Sequence, residues 1–372
     1  MPNPFDTRPS YIDTPPWKLY TNNPETWQAM LALIRNARHT IDIEQFIFVD
    51  DEIGSEFIKA LTEKAKAGLR VRALLDAAGS FTLFGSTFVA ELSNNNIQVG
   101  FFNRLLPKAL HSPNWWFFRN HRRSLIVDAG TEYSGAITGS HCIWEKTRSW
   151  RDTSILITGE PANEVARAFS IMWNRANTVK SDWGYDKPTA TEGINYVYQS
   201  PLRSKRFIYN RLIEAIRGAR SYIYITVPYF VPDHRLMRVI RLAAKRGVDV
   251  RIILPQKSDH AIVDRAGQAY FHKLLKYGVS IYHYLPHLIH AKICIIDDEW
   301  ATLGTMNLDH VSLHYNFEGN VVVTQTDCIS ELKKQFHADL TRSTLITNSD
   351  WNKRTLRDKM LEIATIPLRK IL

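Results

Sequence analysis

Apolar residues recur at helical spacing from Trp27 to Arg38 and again from Tyr209 to Arg220. Each stretch then passes into alternating isoleucines, so the period drops from 3.6 to 2 and each half predicts a helix followed by a strand. The two phrases are copies: residues 34–49 read IRNARHTIDIEQFIFV and residues 216–231 read IRGARSYIYITVPYFV, without gaps at an offset of 182. Ile34, Arg35, Ala37, Arg38, Ile41 and Ile43 recur as Ile216, Arg217, Ala219, Arg220, Ile223 and Ile225. A second matched phrase follows in each half, a helix-like stretch, a glycine and a basic β-branched strand: KAKAGLRVRALLD around Gly68 and LAAKRGVDVRIILP around Gly247. A glycine at that place predicts a helix C-cap. Helices alternating with strands predict crossover units and a mainly parallel central sheet flanked by helices. The fold class is therefore α/β, with one unit duplicated in tandem. The Tyr185–Ser204 stretch, with Pro188, Gly193, Pro201 and little periodicity, reads as the join. The repeats are placed at residues 1–195 and 196–372.

Composition adds one departure from the ordinary. Lys and Arg total 47 against 37 Asp and Glu, a formal charge of +10. That surplus favours an anionic partner: nucleic acid, an anionic membrane surface or a phosphorylated substrate. Cys142, Cys294 and Cys328 are too few and too scattered for a disulfide framework or a structural zinc site. No run approaches the 18 or so apolar residues that cross a bilayer. The proline-rich stretch from Met1 to Trp17 has no apolar core of signal-peptide length. Membrane contact, if made, is expected to be peripheral.

The third shared phrase carries chemistry. His290 and Lys292 are followed by ICII and Asp297; His121 and Arg123 are followed by SLIV and Asp128. On a strand, the imidazole and the cation two residues on share a face, about 7 Å apart along the chain. A phosphodiester repels nucleophiles, and a neighbouring cation neutralises its oxygens and stabilises the transition state. A neutral imidazole can attack phosphorus to give a phosphohistidine, while a protonated one donates to the leaving alkoxide. Two displacements thus need two histidines in different protonation states, which one motif per half supplies at an interface between the repeats. The carboxylates can orient imidazoles and hold their tautomers. No metal or other cofactor is required. After Asp297, Thr305 and Asn307 are placed to donate to phosphate oxygens, with Ser312, Asn316 and Glu318 beyond.

These residues resemble the phospholipase D superfamily, and within it the bacterial cardiolipin synthases, over most of residues 25–345. The resemblance is carried by the motif pair, by VPYFVPD from Val227, by Lys257-Ser258-Asp259-His260, by DDEWATLGTMNLD from Asp297, by Asn316-Phe317-Glu318 and by Trp150-Arg151-Asp152-Thr153. It implies that His121 and His290 serve as nucleophile and general acid, in an order left open. Arg123 and Lys292 would clamp phosphate, Asp128 and Asp297 would support the histidines, and Ser140, Thr305, Asn307 and Glu318 would line the phosphate site. The implied activity is transfer of a phosphatidyl group from phosphatidylglycerol to make cardiolipin or a close relative. Headgroup hydrolysis, a nuclease of the same superfamily and a catalytically weakened anion-binding protein are the alternatives. One chain carries both motifs, so a monomer suffices. The expected location is the cytoplasmic side of the inner membrane.

The first motif departs from the pattern. Arg123 replaces the usual lysine, Cys142 stands where Asn307 stands in the second half, and the span from Asp128 to Gly139 is four residues longer than from Asp297 to Gly304. A hairpin insertion over Ala129–Gly135 accounts for the length, and catalysis is expected to persist with one hydrogen bond fewer. Two segments are placed at the lipid surface: the basic C-terminal stretch Trp351–Leu372 and the aromatic stretch from Phe101 to Arg119.

Overall fold

The structure is a computed structural model, and it describes residues 16–83, 87–103, 118–177, 192–355 and, singly, Met360, Thr365 and Pro367. Much of the aromatic stretch and of the basic C-terminal stretch lies outside the described residues. The chain divides into two units, Met1–Arg148 with Ser154–Lys187, and Ser149–Thr153 with Pro188–Leu372.

In the first unit, Asn22 caps a helix over Asn23–Asn36, its side chain accepting from Glu25 N, with Pro24 in the first turn. The helix buries Trp27, Met30, Leu31, Leu33 and Ile34. A second helix, Glu52–Lys66, ends before Gly68, which takes φ +91, a left-handed value that an L side chain rarely adopts. Gly247 repeats this at φ +89 after the helix His234–Lys245. Both glycines thus stand at helix ends, as the paired phrases imply.

Among the described residues seven strands make the first sheet: β1 (Trp17–Asn22), β2 (Thr40–Gln45), β3 (Arg70–Asp76), β4 (Ile97–Phe102), β5 (Ser124–Val127), β6 (Gly135–Gly139) and β7 (Arg151–Thr158). Eight make the second: β8 (Ile194–Gln199), β9 (Tyr222–Thr226), β10 (Asp249–Pro255), β11 (Ser280–Tyr284), β12 (Ile293–Ile296), β13 (Trp300–Gly304), β14 (Glu318–Val323) and β15 (Ser343–Leu345). The first order is β1-β7-β6-β5-β2-β3-β4 and the second, read from the other end, is β8-β14-β13-β12-β9-β10-β11-β15. Strand for strand the two agree, apart from the added edge β15. The duplication read from the phrases is a duplication of topology.

The sheets are mixed rather than mainly parallel. In each unit a run of three strands is parallel, β2-β3-β4 and β9-β10-β11. The motif strands β5 and β12 run antiparallel to β2 and β9, and β6 and β13 turn back on them. The reason is connection length: helices link the parallel strands, whereas β12 reaches β13 through three residues, which allows only a hairpin. The corresponding β5–β6 turn spans Asp128 to Ser134, so the four extra residues lie there.

Both faces of each sheet are covered. Ile41 and Val71 pack into a core with residues of the helices 23–36 and 52–66. Asp42 and Arg72 alternate with them and so face the other side. There they form an ion pair at 2.7 Å, and the guanidinium lies over Phe169 and Trp173 of the helix Glu160–Asn177. In the second unit Ile223 and Ile225 pack with the helices Phe207–Gly218 and 234–245, while Tyr224 stacks on Phe336 of the helix Thr326–Thr341 at 4.6 Å. Part of the expected join is structured: residues 194–199 form β8, an edge strand paired along its length with β14. Its two alternating tyrosines, Tyr196 and Tyr198, are buried. At the other end Trp351 packs on Phe271 with ring centroids 4.8 Å apart, so the C-terminal stretch begins against the second unit. Among the described residues no helix is long and apolar enough to cross a membrane.

Candidate active site

The strand directions fix where the histidines stand. Ile293, just after Lys292, pairs with Thr226 at the end of β9, and Ser124, just after Arg123, pairs with Glu44 near the end of β2. Each histidine motif therefore enters its sheet at the carboxyl edge of the parallel strands, where open α/β sheets bind ligands.

In the second unit His290 is buried, and its Nδ1 lies 2.9 Å from Oδ2 of buried Asp152. A carboxylate only accepts, so Nδ1 carries the proton and chemistry at this ring goes through Nε2. Trp150 packs on the imidazole with ring centroids 5.0 Å apart. Asp152 Oδ1 accepts from Thr153 N at 2.8 Å, and the segment before it is anchored. Arg151 grips Asp339 through Nε and Nη2, both at 2.8 Å, and His290 N donates to Arg151 O at 2.7 Å. Lys292 is buried and its Nζ donates to His290 O at 2.6 Å, which keeps the ammonium beside the histidine.

The sequence signal for Asp152 was present but indirect. Gly139 of β6 pairs with Ser154, and Gly304 of β13 pairs with Asn320. Two residues earlier on each partner strand stand Asp152 and Glu318, so they occupy matching places in the repeats.

Glu318 and Thr305, both expected at the phosphate site, are bonded to each other. Oε2 of fully buried Glu318 accepts from Thr305 Oγ1 at 2.5 Å, and Oε1 accepts from Ser312 Oγ at 2.5 Å and Asn316 Nδ2 at 3.3 Å. An anion ringed by donors shapes a site but repels phosphate, and the single hydroxyl proton of Thr305 already points at it. Asn320 Oδ1 accepts from Thr305 N and Met306 N, fixing this turn from the neighbouring strand. Gly304 is required by close approach: a Cβ there would stand 2.5 Å from Asn320 Cα and Gly319 O. Asn307 is buried, its N–H donates to Ser312 Oγ at 2.8 Å, and its Oδ1 has no hydrogen-bond partner among the described residues. Burial pushes the Asp309 carboxyl up to about 7, and nearby Glu318 adds to this, against the Ser312 N–H and Lys292.

The first unit repeats the plan with different groups. His121 is buried with Phe46 against its ring edge at 4.9 Å. Arg123 Nη2 lies 3.0 Å from His121 Nε2. Arginine keeps its protons, so Nε2 accepts in this arrangement and the ring is neutral with its proton on Nδ1. The guanidinium reaches the ring and also donates through Nη1 to His121 O at 3.4 Å, the carbonyl that matches the one Lys292 bonds. Arg123 Nε is buried and without a partner among the described residues. Cys142, at the place of Asn307, is buried and its C=O accepts from Trp27 Nε1 at 2.8 Å. Ser140 is fully buried.

The motif aspartates do not support the histidines. Asp128 takes φ 50 in the turn after β5 and accepts from the backbone N–H groups of Arg38, His39 and Thr40 at 2.7–3.2 Å. Asp297, at φ 55, accepts likewise from Arg220, Ser221 and Tyr222 at 2.6–2.9 Å. The four-residue strand carries each aspartate to the far edge of the sheet, about 16 Å along the chain from the cation. There it fastens the entry into β2 or β9.

The family described as "Cardiolipin synthase, PLD-like domain" matches residues 30–173 and 212–340. The chain is 33% identical to cardiolipin synthase 1 of Bacillus cereus over 361 residues, 93% of this chain and 70% of that protein. It is likewise 33% identical to a cardiolipin synthase of Listeria monocytogenes over 364 residues, 95% of this chain and 75% of the relative. Among solved structures, phosphatidylserine synthase of Haemophilus influenzae shares the fold at a TM-score of 0.74 with 13% identity, covering 96% of this chain and 95% of that one.

Proposed function

Since the chain belongs to the cardiolipin synthase family with phospholipase D-like domains, we propose that it makes cardiolipin from phosphatidylglycerol through a phosphohistidine. In the first displacement one histidine attacks phosphorus, the bond to the headgroup oxygen breaks, and the other histidine gives its proton to the departing glycerol. In the second, a hydroxyl of another phosphatidylglycerol headgroup attacks, the P–N bond breaks, and the proton returns to the second histidine. Arg123 and Lys292 are assigned to the phosphate oxygens, with the Asn307 amide beside them.

The observation that carries this reading is the held imidazole of the second motif. Asp152 fixes the tautomer of His290 through Nδ1, so the ring is set for covalent or acid–base work at Nε2, with the Lys292 charge alongside. The test is lipid mass spectrometry after incubation with phosphatidylglycerol, with and without phosphatidylethanolamine. Cardiolipin is the expected product; phosphatidic acid alone would make the protein a hydrolase.

Two further results are expected. Arg123→Ala should lower kcat/KM on phosphatidylglycerol vesicles about 100-fold, the scale of one donor to a developing oxyanion. Arg123→Lys should recover most of that loss, and equal rates for all three proteins would remove the arginine from the site. Peripheral association with an anionic bilayer is also proposed, from the surplus charge of +10. The protein should sediment with phosphatidylglycerol vesicles at low salt and be released at high salt. Failure to bind at any ionic strength would count against it.

A further inference from the structure

A phosphate site reads what donor and acceptor lipids have in common. The groups shown at His290 are the Lys292 cation and the buried Asp152 carboxylate, and neither distinguishes a glycerol headgroup from water. A second cluster lies beside them. The loop after β9 is bound to the turn after β13: Leu308 N donates to Tyr229 O at 3.2 Å and Val231 N donates to Leu308 O at 2.9 Å. Leu308 follows Asn307 directly, so the Tyr229 backbone is bonded one residue from the assigned phosphate contact.

The Tyr229 hydroxyl donates to Asp259 Oδ1 in the loop after β10. The His260 ring stands edge-on to Tyr229 at 5.5 Å, and its Nε2 is 3.7 Å from Asp259 Oδ2. The loop is shaped from within: Ser258 N donates to Asp264 Oδ2 at 2.9 Å, His260 N to Ser258 Oγ at 3.0 Å, and Asp264 N to His260 O at 3.1 Å. The group is open to solvent, with the Asp259 side chain 28% and the His260 side chain 62% exposed. The first repeat has other groups at the matching positions. The matching positions of the first unit are Ile47, by the offset that pairs Ile34 with Ile216, and Ser80, by the register that pairs Val71 with Val250. Ile47 is apolar, and Ser80 Oγ instead donates to Phe46 O at 3.0 Å. A duplicated framework thus carries a polar cluster on one side, which suits a reaction in which one lipid acts as donor and the other as acceptor.

We propose that Tyr229, Asp259 and His260 form a subsite for the neutral polyol headgroup of the acceptor lipid. The carboxylate accepts from one glycerol hydroxyl, and the imidazole and phenol engage its neighbour. The acceptor hydroxyl is thereby held at the phosphohistidine as its O–P bond forms and the P–N bond breaks. This inference rests on the function proposed above and deepens it.

The test uses full-length protein, wild type and the variants Asp259→Asn, His260→Ala and Tyr229→Phe, each checked for an unchanged melting curve. Vesicles of phosphatidylglycerol, alone or with phosphatidylethanolamine, supply the substrate, and cardiolipin and phosphatidic acid are quantified together. The ratio of cardiolipin to phosphatidic acid should fall about tenfold in the Asp259 and His260 variants, because water replaces an unheld acceptor. A wild-type ratio in folded variants overturns the subsite. So does a proportional loss of both products, which places these residues in the first displacement. A change seen only with phosphatidylethanolamine overturns the polyol assignment in favour of an ammonium contact. Wild-type protein that makes no cardiolipin overturns the underlying function, and is told apart by needing no variant.

Discussion

His290→Ala and His121→Ala proteins are each expected to lose at least ~1,000-fold in turnover of phosphatidylglycerol. Removing a nucleophile closes the covalent route, and removing a positioned acid or base alone costs about 10²–10⁴. The two losses should not add, since each histidine is useless without the other. Folding must be separated from chemistry, because His290→Ala strands the buried Asp152 carboxylate. His290→Asn is the better probe. Its amide N–H falls close to the place of Nδ1–H and can still donate to Asp152, but it offers no nitrogen to phosphorus. A melting curve near wild type with turnover down by the same ~1,000-fold would assign the loss to chemistry. Rates within tenfold of wild type in either histidine variant would sink the two-histidine mechanism. A labelled substrate then orders the pair: the variant lacking the nucleophile accumulates no phosphohistidine, whereas the variant lacking the acid still forms one from a lipid with a good leaving group.

What the sequence made legible and what it concealed divide along physical lines. The helix–glycine–strand phrases could be read because they are local and occur twice. Gly68 and Gly247 mark helix ends at left-handed φ in both copies. The motif spacing was equally local. The parallel order was overextended because β5 and β12, only four residues each and buried on both faces, lack the polar alternation that marks antiparallel strands. Their hairpins were visible only in the short polar turns behind them. Asp152 lies within a family phrase that shows no role for it, since its partner His290 is 138 residues away. Glu318 and Thr305 looked like phosphate ligands from their place after the motif, yet Thr305 donates to Glu318. Which polar group a side chain faces depends on the strand beside it, and a single sequence does not record that.

The motif aspartates show this most sharply, and they give the largest expected effect on stability. Asp128→Ala should destabilise the protein by about 3–5 kcal/mol: three backbone donors lose one charged acceptor at once, and losses of about 1.5–3 kcal/mol per bond do not add in full when they share that acceptor. The side chain is wholly buried, so little water is at hand to replace it. Asp297 makes the same three contacts but is half-buried. Asp297→Ala should therefore cost less, about 1–2 kcal/mol, as water satisfies part of the freed backbone. Denaturant midpoints of the two variants would measure the difference. Turnover per folded molecule is the deciding second readout. If the aspartates fasten the entries into β2 and β9, folded Asp297→Ala should turn over within about threefold of wild type, a surviving site rather than a missing catalytic group. A folded Asp297→Ala protein with turnover down ~100-fold would restore a carboxylate acting on the imidazole, and would require the far edge of the sheet to reach the chemistry.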